Sequence, residues 1–330
     1  MTRPLYFTLA AICLTLTACG DSGKSSAVDA ITKDTAPSKP AQDAPPKIRV
    51  ALIMKTLTNP FFVEMEKGAR SAQAETGLDL QVQTATQETS IEQQIQLVER
   101  EIQSNAKAIV IAPGDSTRLV PVLKKAQDAG IRIVNIDNRL NADALKASGM
   151  APVPFVSVDN EKGAYEVTKY LLSTLKKPTE VAIFEGIRTA DNAYQRKQGA
   201  ERALKEGKGM RLVASESANW KIDEAYELSK TVFKKHPSIG AVFCANDMMA
   251  FGVIKYLQES KRANVMVASF DALEEAKTAI RAGQLQATVD QQAFRQGYLG
   301  VTSALRLING EPVPMEVVVD SKLVTPSSLK

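Results

Sequence analysis

The chain has 330 residues, 44% hydrophobic and 24% charged, with a formal net charge of +4. That is ordinary globular composition, with apolar material for two cores. The charges are spread as mixed solvated faces with no concentrated basic stripe, which argues against nucleic acid as a partner.

The first 46 residues read as processing and linker sequence. Arg3 precedes a short apolar run, Leu5 to Leu16, too short to span a bilayer as a lasting anchor. The run ends in Leu16-Thr17-Ala18-Cys19, which resembles a bacterial lipobox. Residues 1–18 are then expected to be a lipoprotein signal peptide, and Cys19 the lipidated new N-terminus. The other reading is a plain secretory peptide with an incidental cysteine. Residues 19–46, rich in Ser, Ala, Pro, Asp and Lys, read as a flexible tether. Cys13 leaves with the signal, so Cys244 is the one cysteine of the body and has no internal disulfide partner. Its setting, Ala241-Val242-Phe243-Cys244-Ala245, marks it as a small core residue.

From Ile48 onward the texture changes to alternating strands and helices. Strands are predicted near 48–54, 79–84, 107–112, 131–136 and 155–158. A second series follows near 180–185, 210–216, 240–245, 264–269 and 286–290, with a late strand at 315–319. Helices are predicted near 60–76, 91–104, 117–129, 161–176, 193–206, 223–235, 247–259, 273–282 and 292–309. Ser90-Ile91-Glu92-Gln93 reads as a capping box. Gly77, Gly130 and Gly283 stand where helices should stop. Two successive β-α series predict an α/β fold of two doubly wound parallel-sheet lobes. Helix 292–309 and the late strand predict a return of the chain to the first lobe, which makes a hinge with the ligand between the lobes.

The sequence fits catalysis poorly. There is one histidine, His236, in a Lys-Lys-His-Pro-Ser loop, so His and Cys cannot build a metal cluster. No nucleophile elbow, phosphate loop or dinucleotide fingerprint occurs. No cofactor is expected.

A binding site fits better. Polar and aromatic clusters fall at C-terminal ends of predicted strands, where such sheets form their crevice. They are Lys55 with Asn59-Pro60-Phe61-Phe62, Asp137-Asn138-Arg139, Asp159-Asn160, Trp220, Asn246-Asp247, Phe270-Asp271 and Asp290-Gln291-Gln292. Flat rings beside Asn59 and Lys55 suit a sugar: rings cover its C–H face and polar groups take its hydroxyls. Each cluster has a plainer reading. Phe61 and Phe62 would serve as core, Asp137 as a turn former, Asp247 as a helix N-cap, and Trp220 as packing. Seven clusters at equivalent strand ends favour a shared site.

These segments carry a resemblance. Met54-Lys55-Thr56-Leu57-Thr58-Asn59-Pro60-Phe61-Phe62, Val134-Asn135-Ile136-Asp137, Val158-Asp159-Asn160, Cys244-Ala245-Asn246-Asp247 and Ala287-Thr288-Val289-Asp290-Gln291 are similar to the ribose-type, type I periplasmic sugar-binding proteins of ABC transporters. The likeness spans residues 47–330 and leans toward the family's allose-binding members through Lys55. It implies an exported, monomeric, non-enzymatic protein, lipid-anchored here to the cell envelope. Its partners would be a monosaccharide, an ABC permease and an ATPase. A receptor feeding a chemoreceptor or sensor kinase is the other output open to it.

The resemblance also implies lobes at 47–158 plus 292–320 and 159–291 plus 321–330. Asn59 and Asp137 would hydrogen-bond the sugar. Phe61, Phe62 and Trp220 would sandwich it. Asn246, Asp271 and Gln291 would complete the polar shell. Two departures bear on the sugar. Asn138 stands where ribose binders have arginine, with Arg139 next. Tyr194 stands at another arginine position, with Arg196 two residues on. Asn138, Tyr194 and Arg196 are therefore candidate ligand residues whose pattern differs from the ribose set.

Overall fold

The computed structural model describes residues 47–176 and 178–330. The expected signal peptide, Cys19 and the tether lie outside these residues. The first series runs β1 (Arg49–Met54), α1 (Pro60–Thr76), β2 (Asp79–Thr84), α2 (Ile91–Gln103), β3 (Ala108–Ile111), α3 (Val120–Asp128), β4 (Arg132–Ile136), α4 (Ala142–Ala147) and β5 (Phe155–Val158). The second runs α5 (Asn160–Ser173), β6 (Thr179–Glu185), α6 (Asp191–Glu206), β7 (Met210–Ser217), α7 (Ile222–Lys235), β8 (Ile239–Cys244), α8 (Asp247–Glu259), β9 (Met266–Ala268), α9 (Glu274–Arg281) and β10 (Thr288–Asp290). The chain closes with α10 (Ala293–Ile308), β11 (Glu316–Val319) and β12 (Lys322–Val324).

Six strands form one parallel sheet in the order β11-β5-β4-β3-β1-β2. Successive residues of a strand face opposite sides. In β1, Ala51 and Ile53 pack with residues of α2 and α3, while Val50, Leu52 and Met54 pack with Phe62, Met65 and Ala69 of α1. Both faces are covered, so β3 is buried at every position and reads as a continuous apolar run. The second sheet is parallel in the order β7-β6-β8-β9. Parallel bridges Ala268–Ala287 and Asp271–Asp290 bring the approach to β10 alongside β9. This is the α/β architecture of two parallel-sheet lobes that the sequence predicts.

The chain passes between the sheets three times: after β5, after β10, and between β11 and β12. The late strand β11 pairs with β5, while β12 pairs antiparallel with β10, Thr288 opposite Val324. α10 lies back on α1, and there the backbones touch. A Cβ on Gly297 would sit 2.0 Å from the Met65 carbonyl oxygen, and one on Gly68 1.8 Å from that of Phe294.

Most expected boundaries hold within a few residues. Gly77, Gly130 and Gly283 have φ of 70°, 83° and 73°, the left-handed region that ends helices cheaply only with glycine. The capping box at Ser90 does not form: Ser90 makes no side-chain cap bond. Gln93 Oε1 instead accepts from Thr86 N at 2.8 Å and from the Thr86 hydroxyl at 2.9 Å. The loop after β2 thus claims the side chain that would have reached back. α4 and β12 are too short for their periodicity to show in the sequence. Cys244 is fully buried, and burial pushes its thiol well up.

Candidate ligand-binding site

Local chemistry at each strand end aims a side chain into one crevice. After β1, Asn59 caps α1: its Oδ1 accepts from Phe61 N at 3.1 Å, and Pro60 fills the first helical position, where no N–H is missed. The cap turns Phe61 and Phe62 inward, their rings edge to face at 5.1 Å. Both are buried, so they serve as core and wall at once. After β4, Asp137 adopts φ 62°. After β7, Asn219 and Trp220 adopt φ 47° and 67°. A tryptophan held in that region is costly and marks a position fixed by its surroundings. Trp220 packs flat on Gly186, where a Cβ would lie 2.0 Å from the indole.

These ends line one chamber between the lobes. Lys55, Asn59, Phe61, Phe62, Glu88 and Asp137 line it from the first lobe. Asn192, Arg196, Trp220, Asn246, Asp271 and Gln291 line it from the second. A surface groove of about 1080 Å³ between Pro60, Glu64, Lys277 and Phe294 is larger. The chamber is distinguished by its chemistry instead.

In the first lobe Lys55 Nζ sits 2.8 Å from Asp137 Oδ2 and 3.9 Å from Glu88 Oε2. It also lies 5.5 Å from the centre of the Phe62 ring. Asn59 Nδ2 donates to Glu88 Oε1 at 3.0 Å. In the second lobe the buried Arg196 donates from Nε to Asn160 Oδ1, from Nη1 to the Ala245 carbonyl and from Nη2 to Gln291 Oε1, at 2.8–2.9 Å. Asp271 Oδ1 lies 3.6 Å from its Nη1 and accepts from Gln291 Nε2 at 2.5 Å. The guanidinium stacks 3.9 Å from the centre of the Phe270 ring. Arg196 thus uses all three of its nitrogens to hold the second lobe's wall together.

Two cations and three carboxylates meet here, and burial weakens the charges. It raises Glu88, against the opposing pull of Lys55 and the Asn59 hydrogen bond. It raises Asp271 well above the usual carboxylate range despite Arg196. It lowers Arg196, whose neighbouring carboxylates pull the other way. Burial thus favours the neutral forms of Glu88 and Asp271 and disfavours a further uncompensated charge, so the chamber suits an uncharged polar guest.

Three lining atoms are buried without a hydrogen-bond partner: Asp137 Oδ2, Asn192 Oδ1 and Trp220 Nε1. Asp137 Oδ2 has its ion pair with Lys55, but not in hydrogen-bonding geometry. A buried polar atom left unpaired costs about 1–3 kcal/mol. Two acceptors and one donor facing one chamber fit a guest bearing several hydroxyls.

Ten of the twelve expected residues line this chamber. Tyr194 does not: it is 57% exposed, and its hydroxyl accepts from Gln198 Nε2. It lies two residues before Arg196 on α6, so the helix turns it to solvent. Asn138 is fully buried outside the chamber. Its Nδ2 donates to the Pro113 carbonyl at 2.9 Å and its Oδ1 accepts from the Asn192 amide at 3.2 Å. Arg139 reaches out over the Phe155 ring at 4.0 Å. Asp159 caps α5 through Lys162 N.

Asp247 is not the cap of α8. Asn246 is, accepting from Met249 N at 2.9 Å. Asp247 sits below the wall, taking hydrogen bonds from Ser269 Oγ, Thr288 Oγ1 and Leu273 N. Glu88 and Asn192 were not expected. Glu88 follows β2 and Asn192 opens α6 after β6, so strand-end position alone would have flagged both.

A closed polar chamber walled by rings, between two doubly wound lobes, defines a solute-binding protein. A sequence model of the periplasmic binding protein domain matches residues 50–312, and the chain belongs to that family. A D-ribose/D-allose-binding protein of Pseudomonas aeruginosa is 40% identical over 299 residues, covering 90% of this chain and 89% of its own. The D-allose-binding periplasmic protein of Escherichia coli is 32% identical, covering 83% of this chain and 89% of its own. Among solved structures, a periplasmic solute-binding protein of an ABC transporter from Actinobacillus succinogenes, with bound D-allose, superposes with a TM-score of 0.81 at 37% identity. It covers 86% of this chain and 99% of that one. These relatives bind solutes and are not enzymes, and the chain is not an enzyme.

Proposed function

We propose that this protein is the substrate-binding component of an ABC sugar importer, taking an uncharged aldose such as allose or ribose between its lobes. The carrying observation is the chamber: three aromatic rings and charge-compensated polar walls, with Asn192 Oδ1 and Trp220 Nε1 on lining residues buried without a hydrogen-bond partner. Phe61, Phe62 and Trp220 would cover the ring's C–H faces. Asn59, Asp137, Asn192, Asn246 and Gln291 would meet its hydroxyls, and Lys55 and Glu88 would set which epimer fits. Arg196 and Asp271 would brace the second wall. The ribose- and allose-binding relatives support this class of ligand.

The lobes, joined by three crossings, would close on the sugar and present their joint face to a permease and its ATPase. The Leu16-Thr17-Ala18-Cys19 motif supports lipid anchoring of a monomer in the cell envelope. Isothermal titration and thermal shift with D-allose, D-ribose, D-glucose and myo-inositol test the reading. Binding of at least one aldose, with a raised melting temperature, is expected. No response to any sugar, together with no sugar released on denaturation, refutes it.

A further inference from the structure

Helix α6 begins at Asp191, and its N-cap residue, Ala190, has no side chain able to cap it. Its first amides are nevertheless satisfied, from the other lobe. Asp191 N donates to Ser116 Oγ at 2.9 Å and Asn192 N to Asn138 Oδ1 at 3.2 Å. Ser116 N donates in return to the Thr189 carbonyl at 3.1 Å. Both capping side chains are held ready on their own side: Asn138 by the Pro113 carbonyl, and Ser116 within 3.3 Å of Asn138 Nδ2. α6 belongs firmly to the second lobe, packed so close to α5 that a Cβ on Gly199 would lie 2.1 Å from the Glu161 carbonyl oxygen. The same helix carries Asn192 and Arg196 to the chamber wall.

We propose that Ser116 and Asn138 are a helix cap supplied across the cleft, and that this cap positions Asn192 and Arg196 and holds the closed lobes on the ligand. The inference rests on the reading that a sugar is held between the lobes. An orphaned helix N-terminus carries unsatisfied donors and partial positive charge. When the lobes part, α6 exchanges its cap for water. The cap therefore stabilises the closed state alone, and its loss belongs in the dissociation rate. Ser116 and Asn138 do not line the chamber, so they act through α6 and not on the sugar.

The test uses Ser116→Ala, with Ser116→Thr as the variant that keeps the oxygen. Stopped-flow fluorescence of Trp220, the chain's one tryptophan, follows D-allose and D-ribose. Hydrogen exchange follows the Asp191 and Asn192 amides with and without sugar. Ser116→Ala is expected to release sugar about fivefold faster, as befits loss of one cap. Association should change less than about twofold, the sugar-free melting temperature should hold, and the Asp191 amide should exchange faster. Ser116→Thr should restore the slow release. If the wild type binds sugar and Ser116→Ala releases it at the wild-type rate, or destabilises the sugar-free protein equally, the cap proposal falls and the sugar reading stands. If no sugar binds the wild type, the sugar reading falls, and the cap's hold on a ligand falls with it.

Discussion

Trp220 shows how a residue can be core and contact surface together. It is 4% exposed, forced to φ 67°, and seated on Gly186. Trp220→Ala is expected to weaken sugar binding at least about tenfold by titration calorimetry, since it removes a whole stacking face. Trp220→Phe keeps a ring and deletes Nε1, so a smaller loss isolates the hydrogen bond; unchanged affinity in both would reduce the indole to packing.

Asp247 makes the second residue-scale prediction. Burial pushes its carboxyl up to about 6 from an ordinary 3.8, against the pull of its three donors. The folded value lies above the unfolded one, so the folded state holds the proton more tightly. This contribution to stability is full below about pH 4 and is lost as pH rises through about 6. The shift corresponds to about 3 kcal/mol. Urea unfolding of wild type and Asp247→Asn between pH 4 and 7 checks it. Wild type should lose stability relative to the variant as pH rises, and a constant difference would mean the carboxylate is ionised throughout.

The residue scale also shows what the sequence hides. Lys55, Asn59 and the two phenylalanines announce themselves as rare types at a strand end. Tyr194 looked equivalent to Arg196 by position in a family pattern, but helical phase decides which side chain turns inward. An offset of two residues around α6 leaves Tyr194 in solvent and puts Arg196 in the wall. Glu88 lay in a polar loop after β2, where its strand-end position was the one signal that marked it.

At the scale of elements, strands and helices of ordinary length were legible because most carry a periodic or continuous apolar face, and several helices end at a glycine. The capping box at Ser90 failed because Gln93 had a competing partner in Thr86, a tertiary choice that local sequence does not encode. The contact between α1 and α10 is equally invisible in sequence, as the two helices lie more than 200 residues apart. It depends on glycine for reach rather than for turning. Gly297→Ala puts a methyl into the Met65 carbonyl and is expected to cost about 1–3 kcal/mol in urea unfolding. An unchanged midpoint would mean that the helices slide apart freely.

At the scale of the molecule, the two-lobed plan followed from two β-α series, and the return of the chain from one helix and one strand near the end. What stayed hidden was how the lobes meet: the cap on α6 joins residues 75 positions apart and has no local signature. Anchoring is a whole-molecule property too. Cys19→Ala is expected to abolish incorporation of labelled fatty acid in cells and to release the protein into the soluble envelope fraction. Persistent labelling would place the lipid elsewhere or refute it.

The path of α10 and β11 has a consequence for how the protein is made. α10 covers the face of the first sheet that bears Val110 and Ile136, where a Cβ on Gly300 would come within 3 Å of both side chains. β11 closes that sheet beside β5. Both are synthesised only after residues 159–291 of the second lobe. Until then that side of the first sheet is covered by α1 alone and β5 has an unpaired edge, so the nascent chain cannot settle lobe by lobe. The first lobe is therefore expected to complete its fold only once α10 and β11 have been made.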